Sequence, residues 1–257
     1  MTTELTLPQM ERYARQLLLK EVGGAGQARL LRARVVLIGA GGLGSPAAYY
    51  LAAAGVGSLV IADDDRVEIS NLQRQILHTT DRIGQTKTAS ALQALRALNP
   101  DIDLVPFTER VTDGTVDDLV RQGDLVIDGS DTFVTRYLLN RACFVAQKPL
   151  VSGAVLGFEG QLSLFRHGVD PAAPCYQCLY PDPPAAGTTA TCRSGGVLGA
   201  VTGIVGAWQA AEAIKVLLGV GESLAGYLLL INILHGQIQR IRIPKNPDCP
   251  LCGSKAF

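Results

Sequence analysis

Two pairs of cysteines have the spacing of metal ligands. Cys175 and Cys178 form one C-x-x-C pair, and Cys249 and Cys252 form a second pair near the end of the sequence. Four thiolates from two such pairs complete a tetrahedral zinc site, and because no coordination position stays open, that site is structural. Disulfides are the alternative, but the first residues lack the apolar segment of a secretory signal. We therefore expect a cytoplasmic, reducing location and one structural Zn²⁺ per chain.

A glycine-rich segment between a predicted strand, Val35–Ile38, and a predicted helix, Leu43–Ala54, has the G-x-G-x-x-G pattern of nucleotide-binding loops. Its glycines are Gly39, Gly41, Gly42 and Gly44. Glycines permit a tight turn and a close approach of the backbone to phosphate, and the helix N-terminus supplies N–H donors. The next predicted strand ends at Asp63, 19 residues after Gly44, where an acidic residue meets ribose hydroxyls. A packing turn that binds no ligand is the alternative interpretation.

The residues that follow Asp63 favour a nucleoside triphosphate over a dinucleotide. Residues 63–75 are dense in polar side chains just past the carboxyl end of a strand, which is the ligand edge of an open α/β sheet. Arg74 and Lys87 would neutralise more charge than a dinucleotide diphosphate carries and suit the β and γ phosphates of ATP. Asp131 follows another predicted strand and could hold Mg²⁺ on those phosphates. A solvated salt bridge at Arg74 and Lys87 is the alternative, and an NAD-dependent oxidoreductase is the rival enzyme class.

Two further cysteines have different surroundings in the sequence. Cys143 lies within an apolar predicted helix, Thr132–Gln147, which indicates a buried core thiol. Cys192 comes just before a long apolar segment and is followed by Arg193. A helix N-terminus and an adjacent arginine both favour the thiolate, so Cys192 is a candidate nucleophile. A non-catalytic cysteine near a helix start is the alternative.

The elements that must position these residues alternate between strands and helices in the first two-thirds of the chain. This alternation predicts a Rossmann-like, doubly wound, mostly parallel α/β sheet, and three later strands predict an antiparallel continuation. We expect a single unit over residues 1–257, with a nucleotide-binding half at about 1–155 and a partner-binding and zinc half at about 156–257. The remaining predicted elements are strands Leu59–Ala62, Ile102–Pro106, Asp124–Asp128, Leu150–Ala154, Gln161–Phe165, Tyr227–Ile233 and Gln237–Ile243, and helix Thr86–Leu98.

Composition excludes some classes of protein. Apolar residues make up 47% of the chain, which excludes an intrinsically disordered protein. The formal net charge is zero, so nothing indicates binding to nucleic acid or to an anionic membrane. Ser194–Ala211 is an uncharged run of 18 residues, at the threshold for a membrane span. Because it is rich in glycine and alanine and is followed by Glu212 and Lys215, we interpret it as a tightly packed, buried helix.

Taken together, these residues resemble the family of ubiquitin-activating-like adenylyltransferases of the HesA, MoeB and ThiF types, with the MoeB type preferred. The likeness extends over nearly the whole chain, from Arg12 to Cys252. The combination is far more specific than the glycine loop alone. The positions that carry it are Gly39–Gly44, Asp63, Asp65, Ser70, Asn71, Gln73, Arg74, Gln75, Lys87, Asp131, both cysteine pairs, and Thr191 with Cys192.

The resemblance implies a reaction and its substrates. Enzymes of this family bind MgATP and the C-terminal Gly-Gly tail of a small ubiquitin-fold sulfur-carrier protein. The carboxylate of the tail attacks the α-phosphate, pyrophosphate leaves and an acyl-adenylate remains. By the same likeness, Asp63 binds the ribose, and Asp131 binds magnesium. Phosphate contacts are implied for Asn71, Arg74 and Lys87, and the rest of the nucleotide site comprises the four loop glycines, Asp65, Ser70, Gln73 and Thr132.

The resemblance also implies partners. Arg15 is expected to reach the active site of the neighbouring subunit in a homodimer. The activated tail is then converted to a thiocarboxylate, in molybdopterin or thiamine biosynthesis, with sulfur from a separate donor protein, and Cys192 acts in that later step if it acts at all. A non-catalytic, zinc-stabilised scaffold for a ubiquitin-like protein is the rival non-enzyme function.

Overall fold

The structure is a computed structural model, and it describes residues 5–183 and 195–253. Helices and strands alternate along most of this part of the chain. The helices are α1 (Leu7–Arg12), α2 (Ala14–Leu17), α3 (Gly23–Leu30), α4 (Gly44–Ala53), α5 (Lys87–Leu98), α6 (Val116–Arg121), α7 (Phe133–Val145), α8 (Tyr176–Leu179) and α9 (Gly199–Leu218). The strands are β1 (Arg34–Ile38), β2 (Ser58–Ala62), β3 (Asp103–Phe107), β4 (Leu125–Asp128), β5 (Leu150–Leu156), β6 (Glu159–Phe165), β7 (Tyr227–Asn232) and β8 (Gln237–Arg242).

These strands form one sheet in the order β3-β2-β1-β4-β5-β6-β7-β8. The first five strands in this order pair in parallel with one another, and β6, β7 and β8 continue the sheet from β5 with antiparallel pairing. The predicted fold class, a doubly wound parallel sheet with an antiparallel continuation, is therefore confirmed. The order of the strands reverses between β1 and β4, and at such a switch point an open α/β sheet forms a crevice at the carboxyl ends of its strands.

The parallel strands are buried on both faces, as their nearly continuous apolar sequences require. Val35 and Leu37 of β1 face a core formed with α4, α5 and α9. Val36 and Ile38, the alternate residues of the same strand, face a second core formed with α6 and α7. Because successive strand side chains point to opposite faces, each strand contributes to both cores and is held in one register.

The observed elements agree with the predicted ones except at their ends. Thr86 and Thr132 were predicted as first helical residues, and both are N-caps whose side chains accept hydrogen bonds from Ala89 N and Thr135 N. A threonine in this position satisfies an N–H that has no partner within the helix. The short helices α1, α2, α3, α6 and α8 were not predicted, because helices of four to eight residues carry little periodic signal.

The long apolar helix differs most from its predicted position. The prediction covered Ser194–Ala211, whereas α9 covers Gly199–Leu218, and Ser194 lies outside the described residues. The helix continues past Glu212 and Lys215 because their charges are satisfied within the protein. Glu212 is fully buried, and its Oε2 lies 2.6 Å from Lys215 Nζ while its Oε1 accepts a hydrogen bond from Leu224 N at 2.6 Å.

The same helix is the one candidate for a membrane span in the described part of the chain, by length and composition alone. The mean hydropathy over 18 of its residues is 1.3, and a core helix passes the same test. Here its small residues allow close packing inside the protein, since a Cβ added to Gly206 would lie 2.2 Å from Leu43 O. Val201 and Val205 on this helix are fully buried. Packing against α4 and the sheet therefore accounts for its apolar composition.

Candidate active site

The glycine-rich loop joins β1 to α4 at the switch point of the sheet. Gly39 has a φ of +88°, and a Cβ added to it would lie 2.9 Å from Gly129 O, at the end of β4. A Cβ on Gly44 would lie 1.8 Å from Gly39 O. Neither position tolerates a side chain, so the turn requires glycine at both. A Cβ on Gly42 would lie 3.1 Å from Thr202 Cγ2, so the first turn of α9 lies against the loop.

Asp63 holds this loop in place. Its Oδ2 accepts a hydrogen bond from Ala40 N at 2.8 Å, and its Oδ1 accepts one from Asp65 N at 2.9 Å. The side chain is only 8% exposed, and burial raises the pKa of the Asp63 carboxyl despite the opposing charge of Lys87. The acid that the sequence predicts at the end of β2 is therefore a structural partner of the glycine loop before any ligand binds.

Lys87 is the first residue of α5, and its side chain is 6% exposed. Its Nζ lies 2.8 Å from Asp65 Oδ2 and 3.9 Å from Asp63 Oδ2. The alternative of a solvated surface salt bridge is wrong for Lys87, because this lysine is buried and its partners are these two carboxylates. A cation at a helix N-terminus is opposed by the helix dipole, and the two carboxylates offset that unfavourable interaction in the ligand-free protein.

The polar segment after β2 forms a 3₁₀ turn at Ile69–Asn71, and most of its side chains lie near solvent. Asn71 Nδ2 donates to Ser70 Oγ at 3.4 Å, and an Arg74 guanidinium nitrogen donates to Ser70 O at 3.1 Å. Gln73 is exposed, but its backbone is enclosed, since a Cβ on Gly199 would lie 2.2 Å from Gln73 O. Helix α9 thus fixes the backbone of the segment while Arg74 and its neighbours keep room to contact a ligand.

Asp131 and Thr132 lie at the carboxyl end of β4, and both are exposed. The turn that carries them is held by Asp128, a fully buried carboxylate that the sequence analysis did not select. Asp128 Oδ1 accepts hydrogen bonds from Ser130 N at 2.9 Å and Ser130 Oγ at 2.6 Å. Its Oδ2 accepts one from Ser152 Oγ at 3.0 Å, which ties the turn to β5. Asp131 therefore follows a turn with a defined shape, beside β1 and its glycine loop.

His78 is a second site residue that sequence reasoning missed. It is buried, with Nε2 2.8 Å from Ala40 O and Nδ1 2.9 Å from Ser90 Oγ. A carbonyl oxygen only accepts, so Nε2 carries the hydrogen and Nδ1 accepts from Ser90. Burial lowers the pKa of His78, and the neighbouring Lys87 and Arg82 lower it further. The backbone of Ala40 in the loop is thus held at its N–H by Asp63 and at its C=O by His78.

Arg15 does not lie with the other predicted site residues. It is exposed on α2, whose flanking residues are anchored by hydrogen bonds from Asn99 Nδ2 to Tyr13 Oη at 3.0 Å and from Gln16 Nε2 to Ala54 O at 3.1 Å. Asn99 directly follows α5, a helix of 12 residues that begins at Lys87. That helix is about 18 Å long. Arg15 is therefore anchored at the end of α5 opposite to the glycine loop of its own chain.

The four predicted metal ligands come together as a cluster, although the two pairs are far apart in the sequence. The Sγ atoms of Cys175, Cys178, Cys249 and Cys252 lie within 4.8 Å of one another, and the closest contacts, 3.5 Å and 3.4 Å, join the two pairs. A tetrahedral Zn²⁺ site with Zn–S bonds of about 2.3 Å places its sulfurs about 3.8 Å apart. No disulfide joins these four described cysteines.

The chemistry of this cysteine cluster also suits a cation. Burial and then the neighbouring Cys178 raise the pKa of Cys175 to about 12. Bringing four thiolates together without a cation is therefore unfavourable, whereas a bound metal would stabilise them. Asn140 Nδ2 lies 3.8 Å from Cys175 Sγ and orients this ligand from α7. The residues present fit a closed, structural zinc site.

The two remaining cysteines have different outcomes. Cys143 is buried in the core beneath α7, and burial raises the pKa of its thiol far above its ordinary value, as predicted for a core cysteine. Cys192 lies outside the described residues, so its candidate role as a nucleophile stays a prediction.

A glycine loop at the switch point of a doubly wound sheet, with a buried lysine and two carboxylates beside it, defines a nucleotide-binding α/β protein. The chain belongs to the ThiF family, which it matches over residues 13–251. It is 48% identical over 253 residues to the SAMP-activating enzyme E1 of Haloferax volcanii, covering 98% of this chain and 92% of that protein. It is 46% identical over 252 residues to the sulfur carrier protein adenylyltransferase of Thermus thermophilus, covering 97% and 93%.

A longer relative and a solved structure extend this comparison. The adenylyltransferase and sulfurtransferase MOCS3 of Sus scrofa is 48% identical over 252 residues, which are 98% of this chain and 55% of that protein. The crystal structure of Escherichia coli MccB with ATP has a TM-score of 0.82 at 23% identity, covering 94% of this chain and 74% of that one, which shows the shared fold. Its family and its relatives of similar length show that the chain is an adenylyltransferase that uses ATP. The rival interpretation, an NAD-dependent oxidoreductase, is therefore set aside.

Proposed function

We propose that this enzyme adenylates the C-terminal glycine of a small ubiquitin-fold sulfur-carrier protein. The observation that carries the proposal is the glycine loop, held by Asp63 and His78, with Lys87 buried beside it. This arrangement presents a helix N-terminus and a fixed cation to a polyphosphate. Two relatives that span nearly the same length are named for activating SAMP and for adenylating a sulfur carrier protein, which supports the same substrate class here.

The proposed step needs no nucleophile from the protein. A carboxylate oxygen of the carrier's last glycine attacks the α-phosphorus of ATP, the bond from that phosphorus to the bridging oxygen breaks, and pyrophosphate leaves with the electron pair. The product is an acyl-adenylate. The enzyme contributes by positioning the two substrates and by neutralising charge, which are the main sources of catalysis in such displacements.

Each site residue has a proposed role in that step. Asp63 binds the ribose hydroxyls while it holds the loop, and Asp131 would hold Mg²⁺ on the phosphates from the carboxyl end of β4. The phosphates themselves are bound by the loop amides and by Asn71, Arg74 and Lys87. For Lys87 this requires Nζ to be shared between Asp65 and the incoming phosphate, which the exposed position of Asp65 permits.

The position of Arg15 supports a homodimer. Residues next to Arg15 contact Asn99, which follows the end of α5 opposite to Lys87, and this placement supports a role outside the site of its own chain. We propose that it completes the active site of the partner subunit. A stable monomer with full adenylation activity would contradict this arrangement.

The cysteine cluster is proposed to bind one structural Zn²⁺, which would connect the C-terminal segment to α8 and α7.

We also propose the steps that follow adenylation. Cys192 acts, if at all, after adenylation, when the acyl-adenylate meets a sulfur nucleophile from a separate donor protein. The product would be a carrier thiocarboxylate for molybdopterin or thiamine biosynthesis in the cytoplasm.

The proposal is tested by exchange of labelled pyrophosphate into ATP. We expect exchange only when a carrier with a free C-terminal Gly-Gly is present, and none with a carrier that ends in an extra alanine, because that variant keeps the folded surface and displaces the reacting carboxylate. A zinc-stabilised scaffold that binds the carrier without activating it would bind both carriers and show no exchange. Exchange that does not depend on the carrier terminus would contradict the proposed substrate.

A further inference from the structure

Arg136 extends from α7 to the turn that carries Asp131. Its guanidinium donates a hydrogen bond to Ser130 O at 3.1 Å, and its Nε lies 3.9 Å from Asp128 Oδ2. The Arg136 side chain is only 13% exposed. Because a guanidinium presents a rigid fork of donors, one arginine can hold a carbonyl and a carboxylate of the same turn. The turn before Asp131 is therefore held from α7 as well as by the side chain of Asp128.

Tyr176 of α8 places its hydroxyl beside this guanidinium. The two residues line one pocket between α7, α8, β5 and β6. Tyr176 is 3% exposed, and burial raises the pKa of its hydroxyl to about 12 while the nearby charge of Arg136 opposes that effect. Within residues 5–183 and 195–253, neither Tyr176 Oη nor Arg136 Nε forms a hydrogen bond with any other group. Leaving either atom unpaired is unfavourable, so each is suited to be the partner of the other.

The backbone of Tyr176 is held at the cysteine cluster. Tyr176 lies between Cys175 and Cys178 in the sequence, and its N–H donates to Asn140 Oδ1 at 3.0 Å. Asn140 Nδ2 lies 3.8 Å from Cys175 Sγ. Asn140 and Arg136 are four residues apart on α7, so their side chains lie on one face of that helix. The same face of α7 thus contacts the cysteine cluster and, one helical turn away, the active-site turn.

We propose that Tyr176 and Arg136 are positioning residues that connect the cysteine cluster to the turn of Asp131, with Tyr176 Oη accepting a hydrogen bond from Arg136 Nε. This role rests on the proposed function, which places Mg²⁺ at Asp131. Both residues act through the turn and not on the nucleotide. Loss of the Tyr176 hydroxyl loosens the guanidinium and, through Ser130 O, the backbone that precedes Asp131. The folded enzyme then binds its metal less tightly.

Three substitutions separate this role from general packing. Tyr176→Phe removes the hydroxyl and keeps the ring. Arg136→Lys keeps a positive charge beside Asp128 and removes the fork of donors. Tyr180→Phe is the matched control, because the Tyr180 hydroxyl lies at the same pocket but donates to Gln161 Oε1 at 2.8 Å.

Metal binding is measured directly, without turnover. Mn²⁺ suits the same carboxylate and water ligands as Mg²⁺, and it is titrated by electron paramagnetic resonance into the complex with an ATP analogue. The analogue has a methylene bridge between the α and β phosphates. We expect Mn²⁺ affinity to fall about threefold or more in Tyr176→Phe and about tenfold or more in Arg136→Lys, and to stay within about twofold in Tyr180→Phe. Affinity for the metal-free analogue, measured by calorimetry, should stay within about twofold in all three variants.

The double variant tests whether Tyr176 acts through Arg136. Tyr176→Phe combined with Arg136→Lys should bind Mn²⁺ as Arg136→Lys does, because the hydroxyl has no further effect once the fork is lost. Full addition of the two losses would overturn the proposal. So would an equal loss in Tyr180→Phe, or Mn²⁺ affinity within twofold of the wild type in folded Tyr176→Phe. If Arg136→Lys does not fold, the comparison of Tyr176→Phe with Tyr180→Phe decides alone.

Pyrophosphate exchange is measured separately, so that the two proposals can fail independently. A wild type that binds the analogue and Mn²⁺ but shows no carrier-dependent exchange would contradict the proposed function, and the Mn²⁺ comparison would still decide the role of Tyr176. A wild type that does not bind the analogue would overturn both.

Discussion

Replacing Lys87 with methionine tests the central ion pair of the site. The change keeps the length of the side chain and removes its charge, which leaves Asp63 buried without its cation. Removing one partner of a buried pair typically costs about 3–5 kcal/mol. Here Asp65 is 56% exposed and Asp63 keeps its hydrogen bonds from Ala40 N and Asp65 N. We therefore expect a loss of stability below this range, about 2–3 kcal/mol, or a fall of about 5–10 °C in melting temperature for a chain of this size.

The loss of stability in Lys87→Met should depend on pH in a defined direction. Burial already raises the pKa of Asp63, and removing Lys87 removes the charge that lowers it. A carboxyl whose folded pKa lies above its unfolded value binds its proton more tightly when folded, so its contribution to stability is present at low pH and is lost as pH rises through the folded pKa. Urea unfolding should therefore show a small difference from the wild type near pH 4 and a growing one towards pH 7.

Lys215→Met is the matched control for that variant. Lys215 also pairs with a buried carboxylate, since its Nζ lies 2.6 Å from Glu212 Oε2, but it lies near the C-terminal end of α9. Both variants should lose stability, whereas only Lys87→Met should lose pyrophosphate exchange, by about tenfold or more, since a charged contact to phosphate contributes about 1.5–3 kcal/mol. Exchange within twofold of the wild type in folded Lys87→Met would refute the assignment of Lys87 to the phosphates. An equal loss of exchange in Lys215→Met would mean that general destabilisation explains both.

Three further predictions concern the other groups of the site. His78→Leu should weaken the binding of an ATP analogue with a methylene bridge between the α and β phosphates severalfold, as measured by calorimetry, and His78→Gln, which restores a donor to Ala40 O, should recover it. Because burial lowers the pKa of His78, the contribution of this residue to stability is lost as pH falls below about 6.5. His78→Gln should remove that part of the pH dependence of stability. Metal analysis should find about one zinc per chain, with lower zinc content and melting temperature in Cys249→Ser, and four free thiols without zinc would exclude the site. Cys192→Ala should keep carrier-dependent exchange, because adenylation uses the carboxylate of the carrier, and loss of exchange in a folded variant would place this cysteine in the first step.

The parts of the site that are formed by residues adjacent in the sequence could be predicted from the sequence alone. The turn after β1 was predictable because only glycine fits a φ of +88° at Gly39 and the contact at Gly44, and such restrictions are visible residue by residue. Asp63 was placed correctly because a buried apolar strand ends there. The alternation of strands and helices determined the sheet, since each element carries its own periodic pattern. The first residues of the helices were predicted less accurately, because in the sequence a capping threonine looks the same as a first helical residue.

The tertiary structure decided how residues distant in sequence combine. Nothing local shows that Asp63 and His78 hold the N–H and the C=O of Ala40, or that Arg15 lies away from its own glycine loop. The start of α9 and its passage through Glu212 were missed for the same reason, because the partners of a buried charge come from packing and not from periodicity. Spacing showed that four cysteines were suited to one metal, but only the folded chain brings their sulfurs within 4.8 Å.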